Sequence, residues 1–102
     1  MIALIEQHRA ELEALCRKYC VKKLEVFGSA SDGTFDPQRS DVDLLVEFLP
    51  LGPGQLFDFF FELKDDLQGL FGRRVDLVLP RAIRNPYFQK SVDQSRRVLY
   101  AA

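Results

Sequence analysis

The sequence is poor in the residues from which disulfide frameworks and histidine metal sites are built. Its 102 residues include two cysteines, one histidine, one methionine and no tryptophan. Two cysteines are too few for the disulfide framework of a small secreted domain. A single histidine cannot form a histidine-based metal site. We therefore expect Cys16 and Cys20 to be two small, partly buried side chains without a metal or redox role.

Long apolar runs and a strong excess of one charge are missing as well. The sequence holds no apolar run of about 18 residues, the length that spans a bilayer, so it predicts no membrane span. The first residues lack the basic region and apolar stretch of a signal peptide, and we expect a cytoplasmic location. The formal net charge is −1, which argues against direct binding of nucleic acid.

The small net charge hides an uneven distribution along the chain. Residues 1–70 carry a formal charge of −6, and residues 71–102 carry +5. This division suits a cation site in the acidic part and an anion or an acidic partner at the basic part, although an ordinary mixed surface explains it equally well. The length predicts a single domain over residues 1–102, with one core and little room for a second, substrate-binding domain.

The spacing of apolar residues alternates between helical and strand periods. Asn85 and Pro86 have the form of a helix N-cap followed by proline at the first helical position. The pattern then places Leu99 on the same helix face as Val92. The predicted elements are a helix over residues 3–19, strands over 22–27, Val42–Phe48 and 74–79, a helix over 56–71, and a last helix that carries Leu99. This order predicts an α/β (α+β) fold.

Asp41 and Asp43 stand two positions apart at the start of the second predicted strand. Side chains at this spacing point to the same face of a strand, with Cα atoms about 6.7 Å apart. Two adjacent carboxylates repel each other unless they are protonated or bridged by cations. Mg²⁺ binds through one or two carboxylates together with substrate phosphates, and a pair of such ions can stabilise a phosphoryl transfer. We therefore predict a magnesium site at Asp41 and Asp43.

Two further features support such a site. Asp76 lies in a strand with apolar neighbours, where an unpaired charge costs several kcal/mol. An ion pair with Arg73 or Arg74 is the alternative, but beside the other two aspartates we favour a third metal ligand. Gly28 and Ser29 directly follow the first strand, where glycine permits close approach of a ligand and turn amides bind phosphate. A Gly-Ser pair after a strand is also common in ordinary turns.

The segment VFGSASDGTFDPQRSDVDLLVEF resembles the nucleotidyltransferase signature, a Gly-Ser pair followed by Asp-x-Asp and later by a third acidic residue on a strand. The short chain and the segment RNPYFQKSVDQSRRVLYAA strengthen the resemblance. The sequence is similar to the minimal nucleotidyltransferases (MNT domains) of the DNA polymerase β superfamily, of the MntA-like antitoxin type, over nearly its whole length. The resemblance implies a small mixed β-sheet with helices packed against it.

The same resemblance implies an activity and a set of site residues. The implied enzyme is a Mg²⁺-dependent antitoxin that transfers AMP from ATP to a tyrosine of a HEPN-family ribonuclease toxin, the partner through which an oligomer would form. The alternatives are a non-catalytic module that neutralises a partner by contact and a nucleotidyltransferase acting on a small molecule. The implied site residues are Gly28, Ser29 and Ser40 for the nucleotide, and Asp41, Asp43 and Asp76 for catalysis and for two Mg²⁺ ions.

Overall fold

The computed structural model describes residues 3–28 and 41–102. Their elements are α1 (Ala3–Gln7), α2 (Arg9–Lys18), β1 (Val21–Phe27), β2 (Val42–Phe48), α3 (Gln55–Phe71), β3 (Val75–Val78), a 3₁₀ turn (Pro80–Ala82), α4 (Pro86–Ser95) and β4 (Arg97–Ala101). The strands form one sheet in the order β3-β2-β1-β4. β1 pairs antiparallel with both β2 and β4, whereas β2 and β3 are parallel. The mixed sheet with packed helices confirms the predicted α+β fold.

Alternating side chains of the strands divide the apolar residues between the two faces of the sheet. On β2, Leu44 belongs to the large cluster beneath α1, α2 and α3, and Leu45 belongs to a small cluster beneath α4. The two leucines are 0% and 1% exposed. The large cluster also contains Leu12, Leu63 and Leu67, while the small one is built on Phe27, Leu45 and Val92. The fold thus has a thick apolar layer on one face and a thin one on the other.

Two predicted helix boundaries are confirmed, and each has a local cause. Asn85 caps α4, where its side-chain oxygen accepts hydrogen bonds from the backbone N–H groups of Tyr87 (2.9 Å) and Phe88 (3.3 Å). At the end of α3, Gly72 adopts a left-handed φ of 66° and donates its N–H to the carbonyl of Gln68. Glycine takes this conformation without the steric penalty of other residues.

The predicted single helix over residues 3–19 is wrong, because the helix is interrupted at His8. The backbone of His8 departs from helical geometry, with φ −113° and ψ 19°. Immediately after it, the Arg9 side chain donates a hydrogen bond to the carbonyl oxygen of Leu99 on β4, at 2.6 Å. This contact joins residues 90 positions apart, so periodicity within the segment carries no sign of it.

The prediction that the last helix continues to Leu99 is also wrong. α4 ends at Ser95, Arg96 is extended with φ −63° and ψ 137°, and the chain then forms β4. Residue 99 follows residue 95 at helical spacing, so the apolar pattern by itself is also compatible with a longer helix. Pairing with β1 decides the outcome, since β4 satisfies the backbone groups along an edge of β1 that no other strand covers.

The cysteines have the predicted structural character. Cys16 is buried, Cys20 is partly buried, and both thiols are free. Burial is the main cause that raises the pKa of Cys16 to about 12, which leaves this thiol unreactive at neutral pH. In the described parts of the chain, no helix has the length and apolar character needed to cross a bilayer.

Candidate active site

Three of the predicted site aspartates converge at one end of the sheet. Asp43 and Asp76 are paired residues in the parallel register of β2 and β3. Asp41 lies directly before β2, two positions from Asp43, and therefore on the same side of the extended chain. Gly28 follows β1, whose last residue, Phe27, is the antiparallel partner of Asp43. Two further predicted residues, Ser29 and Ser40, lie outside the described parts of the chain.

The three carboxylates interact electrostatically. Burial, followed by the negative charges of Asp76 and Asp41, raises the pKa of Asp43 to about 6. Both causes disfavour the charged form of a carboxyl group. Asp43 thus lies between two other negative charges, and its own ionisation adds a third. A carboxyl group with a strongly shifted pKa is a common feature of functional sites.

The predicted burial of Asp76 is wrong, because its side chain is exposed. β3 is an edge strand with four residues, and only Val75 and Leu77 on it point into the large cluster. Asp76 points to the opposite face, so the apolar residues on either side of it in sequence do not surround its carboxylate. The apolar surroundings predicted for Asp76 are therefore absent from its side of the strand. Its register with Asp43 nevertheless places it in the carboxylate cluster.

Arg74 approaches these acids weakly. The Nε atom of Arg74 lies 3.8 Å from Oδ2 of Asp41, and the two side chains are 80% and 45% exposed. Ion pairs between exposed groups contribute little free energy, about 0–1 kcal/mol. The Arg74–Asp41 pair therefore leaves most of the electrostatic repulsion in the cluster in place.

The donor set fits a divalent cation in its chemistry. Carboxylate oxygens are the ligands that Mg²⁺ prefers, and a cation would relieve the repulsion that acts on Asp43. As the side chains stand, no three acidic, histidine or cysteine groups within residues 3–28 and 41–102 are arranged to share one ion. The backbone register brings Asp43 and Asp76 side by side. Exposed side chains such as that of Asp76 change rotamer rapidly.

Gly28 lies against the carboxylate of Asp43 so closely that a larger residue would collide with it. The φ angle of Gly28 is +68°, and a Cβ atom at this position would lie 2.6 Å from Oδ2 of Asp43. The glycine is thus required both by its left-handed backbone and by the space that Asp43 occupies. Its N–H donates a hydrogen bond to Oγ of Ser95 at 3.0 Å, so in this structure the amide points at the protein.

Sequence reasoning missed this contact of Ser95 with the site. The hydrogen bond joins residues 67 positions apart, and α4 packs over the end of β1 through the buried Val92. The rings of Phe88 and Phe27 pack edge to face, with 6.0 Å between their centroids. The available signal was the position of Ser95 on the same face as Phe88 and Val92, a polar group where an apolar one would continue the stripe.

A groove lies away from these residues. A cavity of about 530 Å³ is formed near the opposite ends of β2 and β3, where Phe48, Leu56 and Arg81 line it. A neighbouring apolar cavity of about 320 Å³ includes Phe57 and Phe61 on α3, which are 69% and 48% exposed. Neither cavity is lined by one of the three aspartates. The cavities are therefore separate from the carboxylate cluster.

Comparison with known proteins agrees with this geometry. Residues 9–99 match the model of the nucleotidyltransferase domain family. A Methanocaldococcus jannaschii protein, MJ0128, named as a candidate protein adenylyltransferase, is 43% identical over 86 residues, which cover 84% of each chain. A solved structure of a candidate minimal nucleotidyltransferase has a TM-score of 0.72 and 31% identity, and the match covers 91% of this chain and 90% of the other.

A more distant structure shares the fold. It is a chain of the complex between a tri-AMPylated HEPN toxin and an MNT antitoxin of Shewanella oneidensis, with a TM-score of 0.63 and 19% identity. The match covers 95% of this chain and 72% of the other. On the family match, the close relatives and the fold, this chain is an enzyme that belongs to the nucleotidyltransferase domain family, of the minimal type.

Proposed function

We propose that the chain is the antitoxin of a toxin–antitoxin pair, and that it transfers AMP from ATP to a tyrosine of a HEPN-family ribonuclease toxin. Residues 1–102 would act as one minimal nucleotidyltransferase domain. The observation that carries the proposal is the parallel pairing of Asp43 with Asp76, beside Asp41. The names of the relatives support the chemistry, and the complex of a HEPN toxin with an MNT antitoxin supports the type of partner.

The reaction is a substitution at the α-phosphorus of ATP. The phenolic oxygen of the acceptor tyrosine forms a bond to the α-phosphorus, and the bond from that phosphorus to the bridging oxygen breaks. Pyrophosphate leaves, and the toxin carries AMP as a phosphodiester. Asp76, exposed on an edge strand, can be reached by a protein acceptor and accepts the phenolic proton.

The remaining predicted residues bind and orient. Mg²⁺, when bound, supplies neutralising charge for the triphosphate and for the pyrophosphate. Gly28 brings its backbone close to the carboxylates, where a side chain would block the approach. In the proposed site, Asp41, Asp43 and Asp76 hold two Mg²⁺ ions, and Gly28, Ser29 and Ser40 bind the nucleotide.

The test is transfer of label from α-³²P-labelled ATP to a HEPN-family protein whose gene neighbours that of this chain, in the presence of Mg²⁺. We expect wild type to label the partner and to reduce its ribonuclease activity. Asp43→Asn should lower the rate of labelling by more than about a hundredfold, since loss of a group that only supports a metal ligand already costs about 10–100-fold. Asp58→Asn, at an exposed acidic residue on α3, is the matched control and should keep the wild-type rate.

Other results would contradict the proposal in distinct ways. Labelling by Asp43→Asn at the wild-type rate would remove the carboxylate cluster from the mechanism. Neutralisation of the toxin without ATP and without label would indicate a module that acts by contact. Label in a small molecule and not in the partner protein would identify a different class of acceptor.

A further inference from the structure

The C-terminal end of α4 is fixed to β1 and to the turn that follows it by two neighbouring side chains. Ser95 Oγ accepts the hydrogen bond from the N–H of Gly28 at 3.0 Å. Arg96 binds the carboxylate of Glu25 with two hydrogen bonds, of 2.9 Å from Nε and 2.7 Å from a terminal nitrogen. Arg96 thus fixes the helix to the strand, whereas Ser95 is the group that reaches the site.

The hydroxyl group of Ser95 is itself held in place. Its oxygen lies 3.2 Å from the carbonyl oxygen of Ser91 and 3.4 Å from that of Val92, so its proton is donated back to the helix. This donation leaves the oxygen lone pairs facing the N–H of Gly28. The side chain of Val92, on α4, is fully buried against the sheet, and this packing fixes the helix over the end of the sheet.

The backbone that Ser95 holds lies close against the carboxylate cluster. Gly28 has a left-handed φ, and its Cα faces the carboxylate of Asp43, with 2.6 Å between Oδ2 and the place of a Cβ atom. A rotation of the Gly28 peptide would therefore change the space beside Asp43. Gly28 is also one of the residues proposed to bind the nucleotide.

The geometry points to Ser95 as a positioning residue for nucleotide transfer. Its oxygen accepts a hydrogen bond from the N–H of Gly28. This bond fixes the peptide that lies between the carboxylate cluster and the proposed phosphate-binding turn. Ser95 acts on the site through its hydrogen bond with Gly28. The inference rests on the proposed function, because it assigns Ser95 to the same site.

The experiment compares Ser95→Ala, Ser95→Thr and the matched control Ser91→Ala, which makes the same change on the exposed side of the same helix. Ser95→Thr keeps a hydroxyl group that can bind the preceding turn and accept the N–H of Gly28. Three quantities are measured for each protein. They are the hydrogen exchange rate of the Gly28 amide by NMR, the affinity for AMP-PNP with Mg²⁺, and kcat and KM for AMP transfer.

We expect Ser95→Ala to speed exchange of the Gly28 amide and to lower kcat/KM about tenfold. That value lies between the loss of one hydrogen bond, about fivefold, and the effect of a 1 Å misplacement, about a hundredfold. The loss should fall mainly on kcat, with the affinity for AMP-PNP changed less. Ser95→Thr should remain within about threefold of wild type, and Ser91→Ala should match wild type in all three measurements.

A merely structural role predicts another result. Ser95→Ala would then lower the melting temperature but keep the wild-type kcat/KM well below that temperature, which would overturn the inference. An unchanged exchange rate of the Gly28 amide would overturn it as well. If wild type binds AMP-PNP and transfers AMP, these outcomes concern Ser95 alone. If wild type neither binds the nucleotide nor labels any partner, the proposed function fails, and the inference fails with it.

Discussion

The two faces of the sheet differ in what they bury. Beneath α1, α2 and α3, every buried residue of the large cluster is apolar. Beneath α4, the apolar cluster is small, and the same face carries the buried Glu25 and the aspartates Asp43 and Asp76. Burial of apolar area is the main source of stability, and clustered carboxylates oppose it. One face thus supplies most of the apolar burial, and the other carries the clustered carboxylates.

Leu44 and Leu45 give the strongest test of this comparison, because they are adjacent on β2, equally buried, and on opposite faces. Leu44→Ala should lower the free energy of unfolding by about 3–5 kcal/mol, and Leu45→Ala by about 2–3 kcal/mol. The thin layer under α4 can close a cavity more easily. Nucleotide transfer should show the opposite order, since Leu45 supports the face with the carboxylates. Urea unfolding followed by circular dichroism, with activity assays below the transition, measures both.

Equal loss of stability in the two variants would break the comparison. So would a larger loss of transfer activity in Leu44→Ala than in Leu45→Ala, since the chemistry would then depend on the thick layer.

Removal of the ion pair between Glu25 and Arg96 tests how much this pair stabilises the face that carries the charges. Glu25→Gln should lower the free energy of unfolding by about 2–3 kcal/mol, because it leaves Arg96 partly buried without its carboxylate. Asp93→Asn is the matched control, since Asp93 binds the same arginine at 2.8 Å from an exposed position. Asp93→Asn should lower the free energy of unfolding far less than Glu25→Gln does.

The same pair predicts a dependence of stability on pH. The hydrogen bonds from Arg96 are the main cause that lowers the pKa of Glu25. A carboxyl group with a lowered pKa stabilises the fold above its unfolded value, near 4.3, and this contribution is lost as pH falls through the folded value. The stability of wild type should therefore fall faster than that of Glu25→Gln below about pH 4.3. Parallel curves for the two proteins would contradict this account.

The smallest expected effect is the difference in unfolding free energy between alanine substitutions at Gly28 and at Gly72. Both glycines have a left-handed φ, of 68° and 66°, but a Cβ atom would meet Asp43 only at Gly28, while at Gly72 there is open space. Gly72→Ala should cost about 1 kcal/mol in unfolding free energy, the penalty for a left-handed residue with a side chain. Gly28→Ala should cost about 2 kcal/mol, the excess over that penalty coming from displacement of the Asp43 carboxylate. Only this variant should also lose nucleotide transfer.

If both glycine variants retain full transfer, the close approach of Gly28 to Asp43 has no role in the reaction. A loss of transfer in Gly72→Ala alone would likewise contradict the division between the two faces.

Local patterns in the sequence were sufficient for much of the fold. Val42–Phe48 was predicted with its observed bounds, the C-terminal end of α3 follows from Gly72, and the cap of α4 follows from Asn85. These features depend on residues a few positions apart, such as a glycine with a left-handed φ or an asparagine oxygen that binds two nearby N–H groups. The Asp-x-Asp spacing belongs to the same class, since strand geometry alone places the two side chains on one face.

The features that sequence reasoning missed depend on contacts between distant segments. Residues 97–101 form a strand because β1 offers an uncovered edge, not because of their own period. Asp76 is exposed because β3 is an edge strand, which apolar neighbours in sequence do not reveal. The contact between Ser95 and Gly28 requires α4 to lie across the end of β1. Sequence by itself determined the central strand Val42–Phe48, the cap of α4 and the Asp-x-Asp spacing, since these follow from short-range chemistry. Only the tertiary structure decided that Asp43 and Asp76 are paired and that a helix holds the turn beside them, because packing brings those segments together.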